Sequence, residues 1–541
     1  MIYPTNQEMR LSVTRTIRAE TMEILRQNNL TTVFGNPGSN ELPFLQDFPE
    51  DFQYILGLHE GAVISMADGF AQASGNAAFV NLHAASGSGN AMGGLTNAVY
   101  SHSPLVITAG QQVRSMVGLE AMLANMDAPS LPRPLVKWSA EPLCAEDVPR
   151  TISQAVHISQ LPAKGPVYVS IPYDDWDKTS PVEAHHLAGR TTVAAQALSA
   201  DQAQELVDQL NAATNPVIVL GPEVDADYAN DFAVTLADKL AAPVWIAPSA
   251  SRCPFPTRHR SFRGVLPASI KDISEMLHDH DVVLVVGAPV FRYHQYVPGA
   301  YLKDGTRILH VTSDAGEAAR APMGDSYVAS VRGTLQTLAE AVDQTTRKQL
   351  PELPDFAEPA ASTFDAIHPE SVFEELRTTA PADTVYVKES TSTSAAFWQQ
   401  MDLQQQGSYF FPASGGLGFG LPATVGAQLA HKDRRVIGII GDGSANYGIT
   451  ALWTAAQYNI PCIILILKNG TYGALRGFSR LLGTGETPGL DVPGLDFVQI
   501  ASGYGVDAES VSTREALRAA LLKALESQKP ALIEIHTQFE S

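Results

Sequence analysis

Asp442 and Asn469 have the residue types and spacing that point most directly to chemistry. Asp442 stands in Gly441-Asp442-Gly443 straight after the apolar run 436–440, and Asn469 stands in Lys468-Asn469-Gly470-Thr471 after a second apolar run, 462–467. Such runs predict buried parallel strands. With a helix between them the strands can lie side by side, which brings both residues to neighbouring carboxyl ends, where open parallel sheets bind ligands. One carboxylate, one amide oxygen and a backbone carbonyl are too few ligands for an all-protein cage. They suit a Mg²⁺ ion that completes its octahedron with water and phosphate oxygens, with Ca²⁺ as the alternative hard cation. The flanking glycines let backbone N–H groups approach those phosphates closely. Gly-Asp-Gly alone is common in turns; the second strand ending in Asn-Gly-Thr is what makes the pair read as a metal–diphosphate site.

Four further polar residues stand out, three of them where predicted strands end. Glu60 opens the helical pattern EGAVISMADGFAQASG, where a capping carboxylate is the plain alternative to a functional one. Ser39 follows Gly38 at a strand-to-helix turn and on its own would be an ordinary N-cap. His83 ends the strand FVNLH and His294 sits in FRYHQY. A lone histidine is usually structural, yet imidazole is the side chain suited to proton transfer near neutral pH.

These residues need elements to position them, and at 541 residues the chain is too long for one core. Usual domain sizes imply three units. Strand and helix patterns alternate over residues 12–184, 195–345 and 364–541, which predicts an α/β protein of three doubly wound parallel sheets. A Ser/Thr/Ala-rich stretch separates the first two units, and the Pro/Ala-rich residues 348–363 read as a surface linker before the third. The middle unit has strands ending in Leu-Gly-Pro (220–222) and Val-Gly-Ala-Pro (286–289) but no Gly-x-Gly-x-x-Gly, so a scaffold without a dinucleotide is expected there.

Hydrophobic residues make up 45% and charged residues 17%, an ordinary globular balance. The apolar runs are strand-length, too short to span a membrane, and the N-terminal stretch lacks an apolar signal core, so a cytoplasmic protein with no membrane partner is expected. The net charge of −21 argues against nucleic acid or an anionic membrane. An anionic cofactor and substrate must then find local positive potential at a metal, helix N-termini and imidazoles. Cys144, Cys253 and Cys462 lack metal-ligand spacing and read as buried free thiols.

The motif around Asp442 and Asn469 resembles the thiamine diphosphate fingerprint, in which Gly-Asp-Gly is followed at this separation by Asn-Asn. Lys468 stands where that pair has its first Asn, and Asn469 matches the second, which is the metal ligand. LHEGAVISMADGFAQASG (58–75) resembles the segment whose glutamate, here Glu60, hydrogen-bonds N1′ of the cofactor's aminopyrimidine. FPASGGLGFGLPATVG (411–426) is similar to the loop whose bulky side chain, here Leu417, folds the cofactor. Longer segments, among them GNPGSNELPFL, NLHAASGSGNAMGGL, SHSPLVITAGQQ, APSASRCPFPTRH, GAPVFRYHQY, KESTSTSA and GSANYGITALWTAAQYNIP, look like the benzoylformate decarboxylase family, from about residue 12 to the C-terminus.

The resemblance implies thiamine diphosphate and Mg²⁺ (or Ca²⁺) as cofactors. The metal would be held by Asp442, Asn469 and Thr471. The cofactor would be contacted by Glu60, Thr391, Gly415, Leu417, Gly441, Asp442, Gly443, Ser444, Asn469, Thr471 and Tyr472. Ser39 would hold a substrate carboxylate, with His83 and His294 moving protons in roles that can be interchanged. Leu123, Phe411, Ala474, Leu475 and Phe478 would wall the substrate pocket, while Gly477, Pro412 and Ser414 depart from the family pattern and bear on substrate range. The implied reaction is non-oxidative decarboxylation of benzoylformate to benzaldehyde and CO₂ through a ylide and an enamine, with carboligation as a side activity. Another 2-keto acid such as phenylpyruvate or a branched-chain acid, or a carboligase, is the alternative. The family also implies a homotetramer whose active sites lie at dimer interfaces.

Overall fold

The computed structural model describes residues 15–291, 302–363 and 365–539. The first sheet contains β1 (Thr32–Gly35), β2 (Gln53–Leu56), β3 (Ala78–Leu82), β4 (Leu105–Gln111), β5 (Trp138–Ala140) and β6 (Val167–Pro172), in the order β2-β1-β3-β4-β6-β5. The second contains β7 (Pro216–Leu220), β8 (Val244–Ile246), β9 (Phe262–Val265), β10 (Val282–Val286), β11 (Arg307–Thr312) and β12 (Asp325–Val328), in the order β12-β11-β10-β7-β8-β9. The third contains β13 (Val385–Glu389), β14 (Tyr409–Phe410), β15 (Val436–Gly441), β16 (Ile463–Lys468), β17 (Asp507–Val511) and β18 (Ala531–His536), in the order β14-β13-β15-β16-β18-β17.

Inner strands such as β3, β4, β7 and β10 are buried along their whole length, and β7 and β10 read accordingly as unbroken apolar runs. On β15 and β16, Ile437, Ile439, Ile463, Leu465 and Leu467 face one core, while Val436 faces another with Val385 and Phe419. Alternation with a period of two puts both faces of the sheet to use.

By compactness the chain forms two units. One holds residues 1–67 and 76–193 with the first sheet; the other holds 68–75 and 194–541 with the second and third sheets. The first and third sheets share one strand order. In each, the chain goes from its first strand to one side and returns on the other, leaving a switch point between β1 and β3 and between β13 and β15. Ligands bind at such points.

The second sheet, counted from β9, has the order 3-2-1-4-5-6 usual for dinucleotide binding, with its switch point between β7 and β10. At the carboxyl ends of β7 and β10 the backbones approach closely. A Cβ on Gly221 would lie 2.2 Å from the Gly287 carbonyl oxygen, and the Glu223 carboxylate accepts from Thr312 Oγ1 at 2.7 Å and Ser313 N at 2.9 Å.

Residues 348–363 cross the surface without regular structure, pinned by the Phe356 ring against the guanidinium groups of Arg258 and Arg377. Cys253 and Cys462 are buried free thiols, but Cys144 is exposed, contrary to the sequence expectation. It stands just before a short 3-10 turn, Ala145–Asp147, rather than inside a strand. No helix among the described residues is long and apolar enough to cross a membrane.

Candidate active site

β15 and β16 pair in parallel, with Gly441 opposite Leu467, so Asp442 and the loop after Lys468 emerge side by side. Asp442 opens the short helix Asp442–Ala445. Its Oδ2 accepts from Asn469 N at 3.0 Å and Gly470 N at 2.7 Å, and its Oδ1 accepts from Gly443 N at 2.8 Å. Burial pushes the Asp442 carboxyl above its ordinary value, against the pull of these N–H groups. Asn469 Oδ1 accepts from Thr471 N at 3.0 Å, and Gly470 takes the left-handed conformation that closes the turn. The oxygens of Asp442, Asn469 and Thr471 thus belong to one compact loop pair.

A strap steadies this loop. Tyr472 N donates to Leu490 O and Val492 N donates to Gly470 O, at 2.8 and 2.9 Å. Thr471 Oγ1 donates to Leu490 O and accepts from Arg476 Nε at 2.7 Å, and Arg476 also pairs with Asp491.

The Asp442–Asn469 loop pair opens on a cavity of about 1150 Å³ within the second unit. Small-ligand pockets are commonly about 300–1,000 Å³, so this one has room for more than a small substrate. The cavity wall includes Thr391, Gly415, Leu417, Ser444 and Tyr472 beside Asp442 and Asn469. Its apolar part includes Phe411, Ala474, Leu475 and Phe478, and the departures Pro412, Ser414 and Gly477 line it too. Ala474, Leu475, Gly477 and Phe478 share the helix Gly473–Leu482.

Two charged groups at the end of β13 carried no assignment from the sequence. Lys388 is fully buried, donating to Ser390 O at 2.7 Å and Ser394 Oγ at 2.8 Å, with its ammonium 5.6 Å from the centre of the Phe411 ring. Burial pushes that ammonium down to about 7. Glu389 lines the cavity, and its carboxylate accepts from Gly418 N, Phe419 N and Gly420 N. Burial pushes it up to about 7 despite those donors.

The first unit gathers a second cluster around the β1–β3 switch point. Glu60 starts the helix Glu60–Ser74 and is buried; its carboxylate accepts from Asn36 Nδ2 at 3.2 Å and Asn90 Nδ2 at 3.0 Å. His83 immediately precedes the helix Ala84–Tyr100, with Nδ1 2.7 Å from Glu41 Oε2. The same Glu41, fully buried, accepts from Gly38 N and Gly110 N at 2.9 Å each. Gly38 admits the His83 ring, since a Cβ there would lie 2.2 Å from Nδ1. Ala84, next to His83, holds a left-handed φ of 43°, a backbone strain that clusters at functional sites. Ser39 is exposed and is not a cap; Gly38 takes the N-cap position, and Ser39 Oγ donates to Asn40 Oδ1 at 3.3 Å.

Ser39, Glu60 and His83 therefore meet around one loop, 35–41. Leu123 belongs to this unit, in a turn where it too has a left-handed φ. His294 lies outside the described residues. Glu41, Asn36 and Asn90 gave no sequence signal of their own.

Family models match in chain order: the N-terminal thiamine pyrophosphate (TPP) binding domain at residues 15–131, the TPP-enzyme central domain at 203–338 and the C-terminal TPP binding domain at 389–535. The chain is 62% identical to a benzoylformate decarboxylase of Pseudomonas aeruginosa over 97% of its own length and 99% of the relative's. It belongs to the benzoylformate decarboxylase family of thiamine pyrophosphate enzymes. Among solved structures, a thiamine diphosphate-dependent 4-hydroxybenzoylformate decarboxylase of Rhodococcus jostii is 65% identical, with a TM-score of 0.96 over 97% of this chain and 100% of that one. A benzoylformate decarboxylase of Polynucleobacter necessarius is 36% identical, with a TM-score of 0.94 over 97% and 99%. A probable acetolactate synthase large subunit of Methanocaldococcus jannaschii is similar at 26% over 95% of this chain and 90% of its own length.

The chain is accordingly a thiamine diphosphate-dependent decarboxylase. Its residues fit that family's cofactor: the donor set at Asp442, Asn469 and Thr471 is all hard oxygen, and a large cavity adjoins it.

Proposed function

We propose that this enzyme removes CO₂ from benzoylformate, releasing benzaldehyde. The observation that carries the reading is that one cavity wall holds both the Asp442–Asn469 loop and the aromatic groups Phe411 and Phe478. An anion-and-metal end and an aryl-sized apolar end suit an aryl 2-keto acid better than a small aliphatic one.

In this reading Asp442, Asn469 and the Thr471 carbonyl hold the divalent cation. Gly441, Gly443, Ser444 and Tyr472 receive the diphosphate, with Thr391 and Gly415 beside the rings. Bound thiamine diphosphate supplies the electron sink for the pair released with CO₂. Leu417 is the wedge that keeps the cofactor folded. Glu60, oriented by Asn36 and Asn90, shares a proton with the aminopyrimidine N1′. Ser39 donates its hydroxyl to the substrate carboxylate. His83 keeps a proton on Nδ1 toward Glu41, so Nε2 exchanges a proton with the substrate oxygen. His294 takes the other proton transfer, and Leu123, Phe411, Ala474, Leu475 and Phe478 keep water from the ring.

A homotetramer built from dimers that share active sites belongs to the same reading, as does cytoplasmic residence, which its free thiols suit. The test is CO₂ release from benzoylformate and phenylpyruvate side by side, with thiamine diphosphate and Mg²⁺. The expected outcome is faster turnover of benzoylformate; preference for phenylpyruvate would overturn the assignment.

A further inference from the structure

Glu389 ends β13 with its side chain fully buried, and no cation pairs with it among the described residues. One carboxylate oxygen accepts from Gly418 N at 2.7 Å and Phe419 N at 3.3 Å, and the other accepts from Gly420 N at 2.8 Å. These amides lead into the helix Gly420–Ala430, whose first N–H groups have no partner within the helix. Helix N-termini usually take a cap from their own first residues. Here the cap comes from a distant strand end.

The backbone is shaped to receive it. Gly418 takes a left-handed φ of 100°, and at Gly420 a Cβ would lie 2.6 Å from both Glu389 Cβ and Ile440 Cδ1. Burying an unpaired carboxylate is costly, and burial pushes this one up to about 7. What the arrangement secures is the position of a single turn, and the residue directly before that turn is Leu417, on the cavity wall.

We propose that Glu389 is a positioning residue: by gripping the amides of Gly418, Phe419 and Gly420 it holds Leu417 at the height where the cofactor folds over it. This rests on the reading of Leu417 as the wedge. In this proposal Glu389 acts through the loop, its two carboxylate oxygens taken by the three amides.

The test uses holoenzyme with Mg²⁺ and two readouts: hydrogen–deuterium exchange at the thiazolium C2, by quench and NMR, and thiamine diphosphate affinity by calorimetry. Glu389→Gln keeps the volume but turns an N–H₂ toward amides that need an acceptor. Exchange should slow about tenfold or more, the scale of a small misplacement. Affinity should change less than about threefold, because the Asp442–Asn469 loop is untouched. Leu417→Ala should reproduce the slowing. If Leu417→Ala slows exchange and Glu389→Gln does not, the positioning role is wrong and the wedge stands. If Leu417→Ala leaves exchange unchanged, the wedge reading fails and the proposal with it. A loss of affinity as large as the loss of exchange would mark a merely structural role and overturn the proposal. Should Glu389→Gln not fold, Glu389→Asp serves: it keeps the charge but draws the carboxylate back, and exchange at the wild-type rate would equally overturn the proposal.

Discussion

Nδ1 of His83 lies 2.7 Å from Oε2 of Glu41, a carboxylate that also takes the amides of Gly38 and Gly110. The backbone bonds fix the carboxylate, and the carboxylate fixes the imidazole with one nitrogen committed. If Glu41 acts by orienting His83, its effect should vanish once the ring is gone. His83→Ala should lower turnover by about 10²–10⁴, the range of general acid–base groups. Glu41→Gln should lower it by about 10-fold to 100-fold, as loss of an orienting partner does. The double variant should then be no slower than His83→Ala, a non-additivity read directly from a double-mutant cycle. Additive losses would mean that Glu41 serves the loop alone.

Glu41 also marks what the sequence could and could not display. Asp442 and Asn469 were legible because each directly follows a buried strand, so local pattern fixes its place. Glu41 is 42 positions from His83 and Asn36 is 24 from Glu60, and parallel topology brings them together across the switch point. Nothing local encodes those meetings. The strands divide in the same way. β7 and β10 are buried on both faces and read as apolar runs, whereas β5, β9, β12 and β17 carry no such run. All of these are edge strands, with sequences such as Asp-Ser-Tyr-Val and Asp-Ala-Glu-Ser-Val. With a neighbour on one side only, they need no apolar run.

Removing the charge at Asp442 should uncouple cofactor binding from the metal. Asp442→Asn keeps the shape but turns a donor toward the amides of Asn469 and Gly470. Calorimetry with and without Mg²⁺ should show thiamine diphosphate affinity falling by about 10²-fold or more, with the Mg²⁺ enhancement lost. Wild-type affinity that still depends on Mg²⁺ would place the metal elsewhere.

Lys388 predicts a pH dependence of stability. In the unfolded chain its pKa is near 10.5, and in the folded chain burial lowers it to about 7. Between those values the unfolded chain binds the proton more tightly, so stability rises with pH across that window. Below pH 7 both states carry the charge and the cost of burying it is fully present. Lys388→Met should therefore compare more favourably with wild type at pH 6 than at pH 10, with the Tm difference changing steadily through the window. A difference flat from pH 6 to pH 10 would contradict the lowered value.

Gly477 predicts a breadth of substrate. It lies inside the helix Gly473–Leu482 and on the cavity wall, and a Cβ there would meet nothing within 4 Å. Packing does not require glycine at this position, and glycine inside a helix costs roughly 0.5–1 kcal/mol against alanine. The open space suits a substituent on the aromatic ring. Gly477→Trp should cut kcat/KM for 4-methoxybenzoylformate relative to benzoylformate by about 10–200-fold, the usual reach of shape selection in an apolar pocket. An unchanged ratio would show that the ring lies elsewhere.

Glu60 and Asp442 belong to different compact units of the chain, and in the proposed reading both serve one cofactor. Each unit also exposes large apolar side chains: Leu119 and Met122 in the first, Leu481 and Leu482 in the second. If two chains complete each site, chains carrying Glu60→Gln and chains carrying Asp442→Ala should complement each other. After dissociation and reassembly in equal amounts, about half of the dimers are hybrids, and each hybrid has one site with both defects and one with neither. Activity should then return to about a quarter of wild type. Hybrids confirmed by native mass spectrometry but inactive would mean that a single chain supplies both residues to its own site.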